Sequence, residues 1–116
     1  MSAAAVVQAH VDAFNARDLD ALMAGFTDDA VWITGTTTIR GHDDLTRFFE
    51  VAMVGLLPRL IIEDLVADGD RAACQLTEAL TANGEVRTFS IAGFHRIRGG
   101  RIASAKIYRE GTADLE

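Results

Sequence analysis

The spacing of apolar residues changes near residue 60. Before that point it predicts helices, and after it, strands. Ala3, Val7, His10, Val11 and Phe14 recur at intervals of three and four and mark one face of a helix, with Gln8, Asp12 and Arg17 on the rest of the wheel. Asn15-Ala-Arg-Asp18 interrupts the pattern. Asp18 is a suitable N-cap for a short second helix carrying Leu19, Leu22, Met23 and Phe26, which Thr27-Asp-Asp29 closes. Ala30 to Thr38 is β-branched and contains the tryptophan, so it reads as a strand or a strand with its turn. Gly41 to Asp44 opens a third helix, whose stripe is Leu45, Phe48, Phe49, Ala52, Met53 and Leu56; Pro58 prevents its continuation. From Leu60 the period is two. Leu60–Val66, Arg71–Ala82, Glu85–Arg98 and Arg101–Glu110 are expected strands, and the last few residues are expected to fray. Ala67-Asp-Gly-Asp70, Asn83-Gly84 and Gly99-Gly100 form the turns between them. No repeat, linker or low-complexity stretch interrupts residues 1–116, which read as a single α+β domain.

The Asn83-Gly84 hairpin fixes a register. Leu80 faces Arg87, Glu78 faces Phe89, Leu76 faces Ile91 and Cys74 faces Gly93. Cys74, Leu76, Glu78 and Leu80 therefore share a face with Phe89, Ile91, Gly93 and His95. Gln75, Thr77, Thr81, Ser90, Arg96 and Arg98 make the other face the wetter one. Glu78 and His95 are polar exceptions in an apolar stripe. In the last strand, Ala103, Ala105 and Ile107 form the face expected inward, which carries Arg109 with them. A plain Gly99-Gly100 hairpin would instead align Ser104 with His95, and a bulge decides between the two.

Composition narrows the function. The 116 residues are 49% hydrophobic and carry a formal net charge of −6, which disfavours nucleic acid as a partner. Aromatics at 7% are too few for a base-stacking platform. No apolar run is long enough for a spanning helix, and no basic leader is evident, so no membrane partner and a cytoplasmic location are expected. The lone Cys74 cannot form an internal disulfide and reads as a buried thiol. His42, Asp43 and Asp44 fit a helix N-terminus better than a metal site. His10, His42 and His95 show no ligand spacing, so neither metal nor cofactor is expected.

A family resemblance rests on several short runs in order: Ala5-Val-Val-Gln8, Phe14-Asn-Ala-Arg-Asp-Leu-Asp20, Phe26-Thr-Asp-Asp-Ala30, Arg40-Gly-His42 and the Gly100-Arg-Ile102 step. Together they resemble the ketosteroid isomerase branch of the nuclear transport factor 2-like superfamily, which shares its fold with SnoaL-type polyketide cyclases and limonene-epoxide hydrolases. The resemblance implies a cone: a curved, mainly antiparallel sheet wrapped by three helices around an apolar pocket. It also implies a homodimer through the outer sheet face. The isomerase's catalytic residues do not carry over. His10 stands where the family has its oxyanion-donating tyrosine, Thr34 where it has its general-base aspartate, and Gly93 where it has a protonated aspartate. A threonine is too weak a base and a glycine has no side chain, so steroid isomerisation by that mechanism is disfavoured. The epoxide hydrolases' Arg and Asp, two residues apart on one strand, are also missing from Leu76-Thr-Glu-Ala-Leu80, although Glu110 could occupy their C-terminal acidic position.

The candidate catalytic residues are therefore Glu78, His10 and His95. Glu78 reads either as a base whose burial favours its protonated form or as an ion-pair partner of Arg109. His10 reads either as an acid, base or donor at the pocket floor or as a core histidine bonded to a backbone carbonyl. His95 lies about 20 Å of extended strand from the residue opposite Glu78, so no direct bond between the two is implied. Phe14, Trp32, Thr34, Met53, Leu76, Leu80, Ile91, Gly93 and Arg109 complete the expected lining. The function expected is cofactor-independent isomerase, cyclase or hydrolase chemistry on a small apolar, steroid- or polyketide-like molecule. The alternative is a non-catalytic binding or dimerisation module of the same fold.

Overall fold

The computed structural model describes residues 1–55 and 57–110. The first helix, α1 (Ala3–Asn15), is capped by Ser2, whose hydroxyl accepts from the Ala5 N–H at 3.1 Å. Asp18 caps α2 (Leu19–Ala24) in the same way, through the Ala21 N–H at 3.1 Å. Next come β1 (Phe26–Thr34), β2 (Thr37–Arg40) and α3 (His42–Ala52), then β3 (Arg59–Asp68), β4 (Arg71–Ala82), β5 (Glu85–Arg98) and β6 (Arg101–Arg109). The strands form one curved sheet in the order β2-β1-β6-β5-β4-β3, with β1 and β6 parallel and every other pair antiparallel. The helices pack on its concave face, and the α+β class holds.

Several boundaries differ from the sequence expectation, among them the end of α3, which stops at Ala52 although its stripe was expected to include Met53. Phe26 does not belong to α2: Gly25 ends that helix, and Phe26, 1% exposed, opens β1 opposite Ile102 of β6. Pairing with a parallel neighbour overrides the helical spacing of a six-residue segment. The strand around Trp32 accordingly starts before Ala30 and is followed by a separate β2. Finally, β3 continues past Val66, because Ala67 and Asp68 pair with Ala72 and Arg71 across a tight turn at Gly69. Leu56 and the expected fraying of the last residues lie outside the described residues.

The β4–β5 register is the one the hairpin predicts, from Ala82 opposite Glu85 to Cys74 opposite Gly93. Asn83 and Gly84 both have positive φ, 53° and 80°, as a two-residue hairpin turn of the right twist requires. In β6 a bulge decides the face. Ile97 pairs with Ile102 but Arg96 pairs with Ser104, so Ala103 is the extra residue. The inward positions are then Ile102, Ala105, Ile107 and Arg109. Ile102, fully buried, takes the place expected of Ala103.

One side chain joins the two halves. The Asn15 amide donates to the Leu60 carbonyl and accepts from the Leu60 N–H, each at 2.8 Å. It thus acts as a strand partner for the first turn of β3 and holds the end of α1 against the sheet edge.

Candidate functional site

The concave face does not close completely on the helices. A cavity of about 390 Å³ remains, walled by α1, α3 and the inward residues of β1, β4, β5 and β6. The sequence-predicted residues His10, Phe14, Trp32, Thr34, Leu76, Glu78, Leu80, Ile91, His95 and Arg109 all line it. Met53 and Gly93 do not. Met53 is buried in the core at the end of α3, and Gly93 lies beneath the His95 ring. The sequence reading omitted Val7, Val11, Phe48, Phe49, Leu60 and Ile107 as lining. Their helical or alternating spacing marked them as inward, but spacing does not separate a cavity wall from packed core.

One end of the cavity is aromatic and holds both imidazoles. His10 projects from α1 among Phe26, Trp32 and Phe49, with ring centroids 5.5, 5.4 and 5.9 Å away. His95 also meets Trp32, with ring centroids 6.3 Å apart. The two histidines are 7% and 4% exposed. Burial pushes the pKa of His10 down to about 3, and the nearby His95 adds to the effect. Burial pushes His95 down to about 4. Both rings are therefore neutral at neutral pH. The Nδ1 atom of each is buried with no hydrogen-bond partner among the described residues. The backbone-anchored core histidine is thus not what Nδ1 of His10 displays. At His95 the Ala72 backbone, within hydrogen-bond reach of the ring, partly offsets the effect of burial.

Glu78 and Arg109 form the second polar feature. Their side chains meet at 2.5 Å, with Glu78 11% and Arg109 33% exposed. The Arg109 guanidinium also lies over the Phe89 ring, 5.9 Å from its centroid. The unpaired alternative for Glu78 does not hold: the β6 bulge turns Arg109 inward and supplies the partner. Glu78 and His95 are kept apart by the register, opposite Phe89 and Ala72 respectively.

The remaining candidates are structural. His42 Nε2 bonds the Met23 carbonyl at 3.2 Å and ties α3 to α2. Asp43 and Asp44 occupy the first turn of α3, where the helix dipole favours them. Burial raises the pKa of the Cys74 thiol, which keeps it protonated and a poor nucleophile. Among the described residues no three His, Cys, Asp or Glu side chains gather to hold a metal ion, and no helix is long and apolar enough to cross a membrane. On the convex face, Phe94 and Tyr108 are 54% and 50% exposed and pack edge to face at 5.9 Å. They are apolar exceptions on the side expected to be wet.

The family model for the SnoaL-like domain matches residues 7–105. No curated protein matches the chain. Among solved structures it is similar to an LEH-like epoxide hydrolase of M. tuberculosis, with 25% identity and a TM-score of 0.84, covering 93% of this chain and 82% of that one. An NTF2-like protein of unknown function from Burkholderia pseudomallei gives 24% identity and a TM-score of 0.84, over 95% and 92% of the two chains. A protein with a ketosteroid isomerase-like fold from Catenulispora acidiphila, in complex with trimethylamine, gives 18% and 0.79, over 89% and 83%.

Proposed function

Because the chain belongs to the SnoaL-like domain family, we propose that its cavity takes a small, mostly apolar, uncharged molecule and that Glu78 moves a proton on it without a cofactor. The observation that carries this is the Glu78–Arg109 pair, the one ion pair among the described residues that lines the otherwise apolar cavity. A carboxylate can accept a proton from a ligand carbon or from water, and the neighbouring guanidinium can stabilise the negative charge that develops. Neutral His10 and His95 are poor bases at neutral pH, but a neutral imidazole carries one N–H and one bare nitrogen and can hydrogen-bond a ligand oxygen through the former. The reaction classes this supports are isomerisation, cyclisation and hydrolysis. Likeness to the M. tuberculosis epoxide hydrolase keeps hydrolysis among these classes, although the Arg and Asp expected of such hydrolases are missing from Leu76 to Leu80.

The test is to capture the ligand from producing cells by native mass spectrometry, then assay its turnover by the parent protein and by Glu78→Gln. The variant should bind the ligand and fold but turn over about 10²–10⁴ times more slowly, the range for loss of a general base. Full activity in the variant would remove Glu78 from the chemistry. The second reading is a non-catalytic binding module, favoured by Glu78 being already engaged by Arg109. It expects binding without turnover in the parent protein. An open volume of about 390 Å³ counts against a dimerisation module whose pocket is filled by its own side chains. The exposed Phe94–Tyr108 pair supports self-association through the outer sheet face.

A further inference from the structure

His95 is a large ring set among small neighbours. Across the sheet it faces Ala72 on β4 and Ala105 on β6, and Gly93 precedes it on the same face of β5. A Cβ built at Gly93 would stand 2.8 Å from His95 Cε1, 3.2 Å from Ile107 Cδ1 and 3.5 Å from Cys74 Sγ. The first distance is shorter than real carbon contacts allow, and the obstructing atom belongs to a ring that is 4% exposed. The backbone does not explain the glycine. Gly93 is not among the residues with positive φ, so any residue could adopt its conformation. The demand at position 93 is therefore steric, and it comes chiefly from one imidazole.

We infer that Gly93, together with Ala72 and Ala105 on either side of His95, is a positioning residue that seats the His95 imidazole against the sheet, where it forms the polar wall of the cavity beside Trp32. The inference rests on the reading that the cavity is the ligand site. Position 93 then determines the polar end of the cavity without touching the ligand. A side chain there would lift the ring off the sheet, take volume from the ligand and break the Trp32–His95 contact at 6.3 Å.

A double-mutant cycle without ligand tests this. Gly93→Ala should raise the unfolded-to-folded ratio about tenfold or more, as overpacking does. In a His95→Ala background the same change should alter it less than about twofold, because the clash is gone. Proton NMR supplies a readout that a merely structural glycine would leave alone. In Gly93→Ala the His95 Cε1–H resonance should shift, and its titration midpoint should rise from about 4 toward 6.5. If Gly93→Ala does not fold, His95→Ala should rescue it. An equal cost in both backgrounds, a double variant that fails to fold, or an unmoved His95 signal would each overturn the inference. The cycle uses no ligand, so its result stands apart from the Glu78→Gln assay.

Discussion

The two polar ends of the cavity solve the same problem differently. At the aromatic end, His10 and His95 are buried without a counter-charge and stay neutral. At the other end, Glu78 has Arg109 beside it, with one third of that side chain in solvent. A buried titratable group either gives up its charge or shares it with a partner. In this molecule the bulge in β6 determines which occurs, since Arg109 points inward only because Ala103 is an extra residue. On the proposed function, charge serves proton transfer at one end and neutral hydrogen bonding serves the other.

The largest effect expected from breaking this contrast is the loss of turnover in Glu78→Gln. Second is the stability of Arg109→Met at neutral pH. Losing the partner leaves a largely buried carboxylate uncompensated, so unfolding should become easier by about 1–3 kcal/mol, discounted from a fully buried pair because Arg109 is partly exposed. Adding Glu78→Met should recover most of that loss, since neither charge then remains. Denaturant titration of the two variants checks both statements.

Third, the aromatic end should make the fold acid-sensitive. Both histidines have folded-state pKa values, about 3 and about 4, below the ordinary 6.5. Between those values the unfolded chain binds more protons than the folded one, so stability is full above 6.5 and falls as pH drops through the window. Each imidazole contributes a slope of roughly 1 kcal/mol per pH unit while it lasts. Unfolding midpoints of the parent protein and of His95→Gln between pH 7 and pH 4 should diverge, with the variant the less acid-sensitive. Parallel curves would show that His95 titrates alike in both states.

Most of the fold was legible because it is written in spacing. The helix stripes, the Asp18 cap and the Asn83-Gly84 hairpin each follow from local rules, and the hairpin alone placed Cys74, Leu76, Glu78, Leu80, Ile91 and His95 on one face. What spacing did not supply came from tertiary contact. Phe26 has helical spacing yet pairs with Ile102. Asn15 looks like a loop residue until Leu60 is brought beside it. Met53 looks like lining and is core. The Glu78–Arg109 pair was open in the sequence because a single bulge reverses the face of β6. The absence of a hydrogen bond at His10 Nδ1 was not legible at all, because it depends on what the surrounding residues fail to offer.

The smallest expected effect lies away from both ends. Asn15→Leu removes the two bonds to Leu60 and should cost only about 0.5–1 kcal/mol, because the half-buried Leu60 groups can bond water instead, with faster amide exchange confined to the start of β3. The cavity chemistry should survive, since Asn15 is not among its lining residues.

The central claim is tested most directly by a crystal structure of the protein with the ligand captured from its own cells. Density should lie inside the cavity, with an oxygen within hydrogen-bond reach of His10 or His95 and the reacting atom facing Glu78. A ligand bound on the outer sheet face, or lying in the cavity with its polar atoms turned away from all three residues, would contradict it.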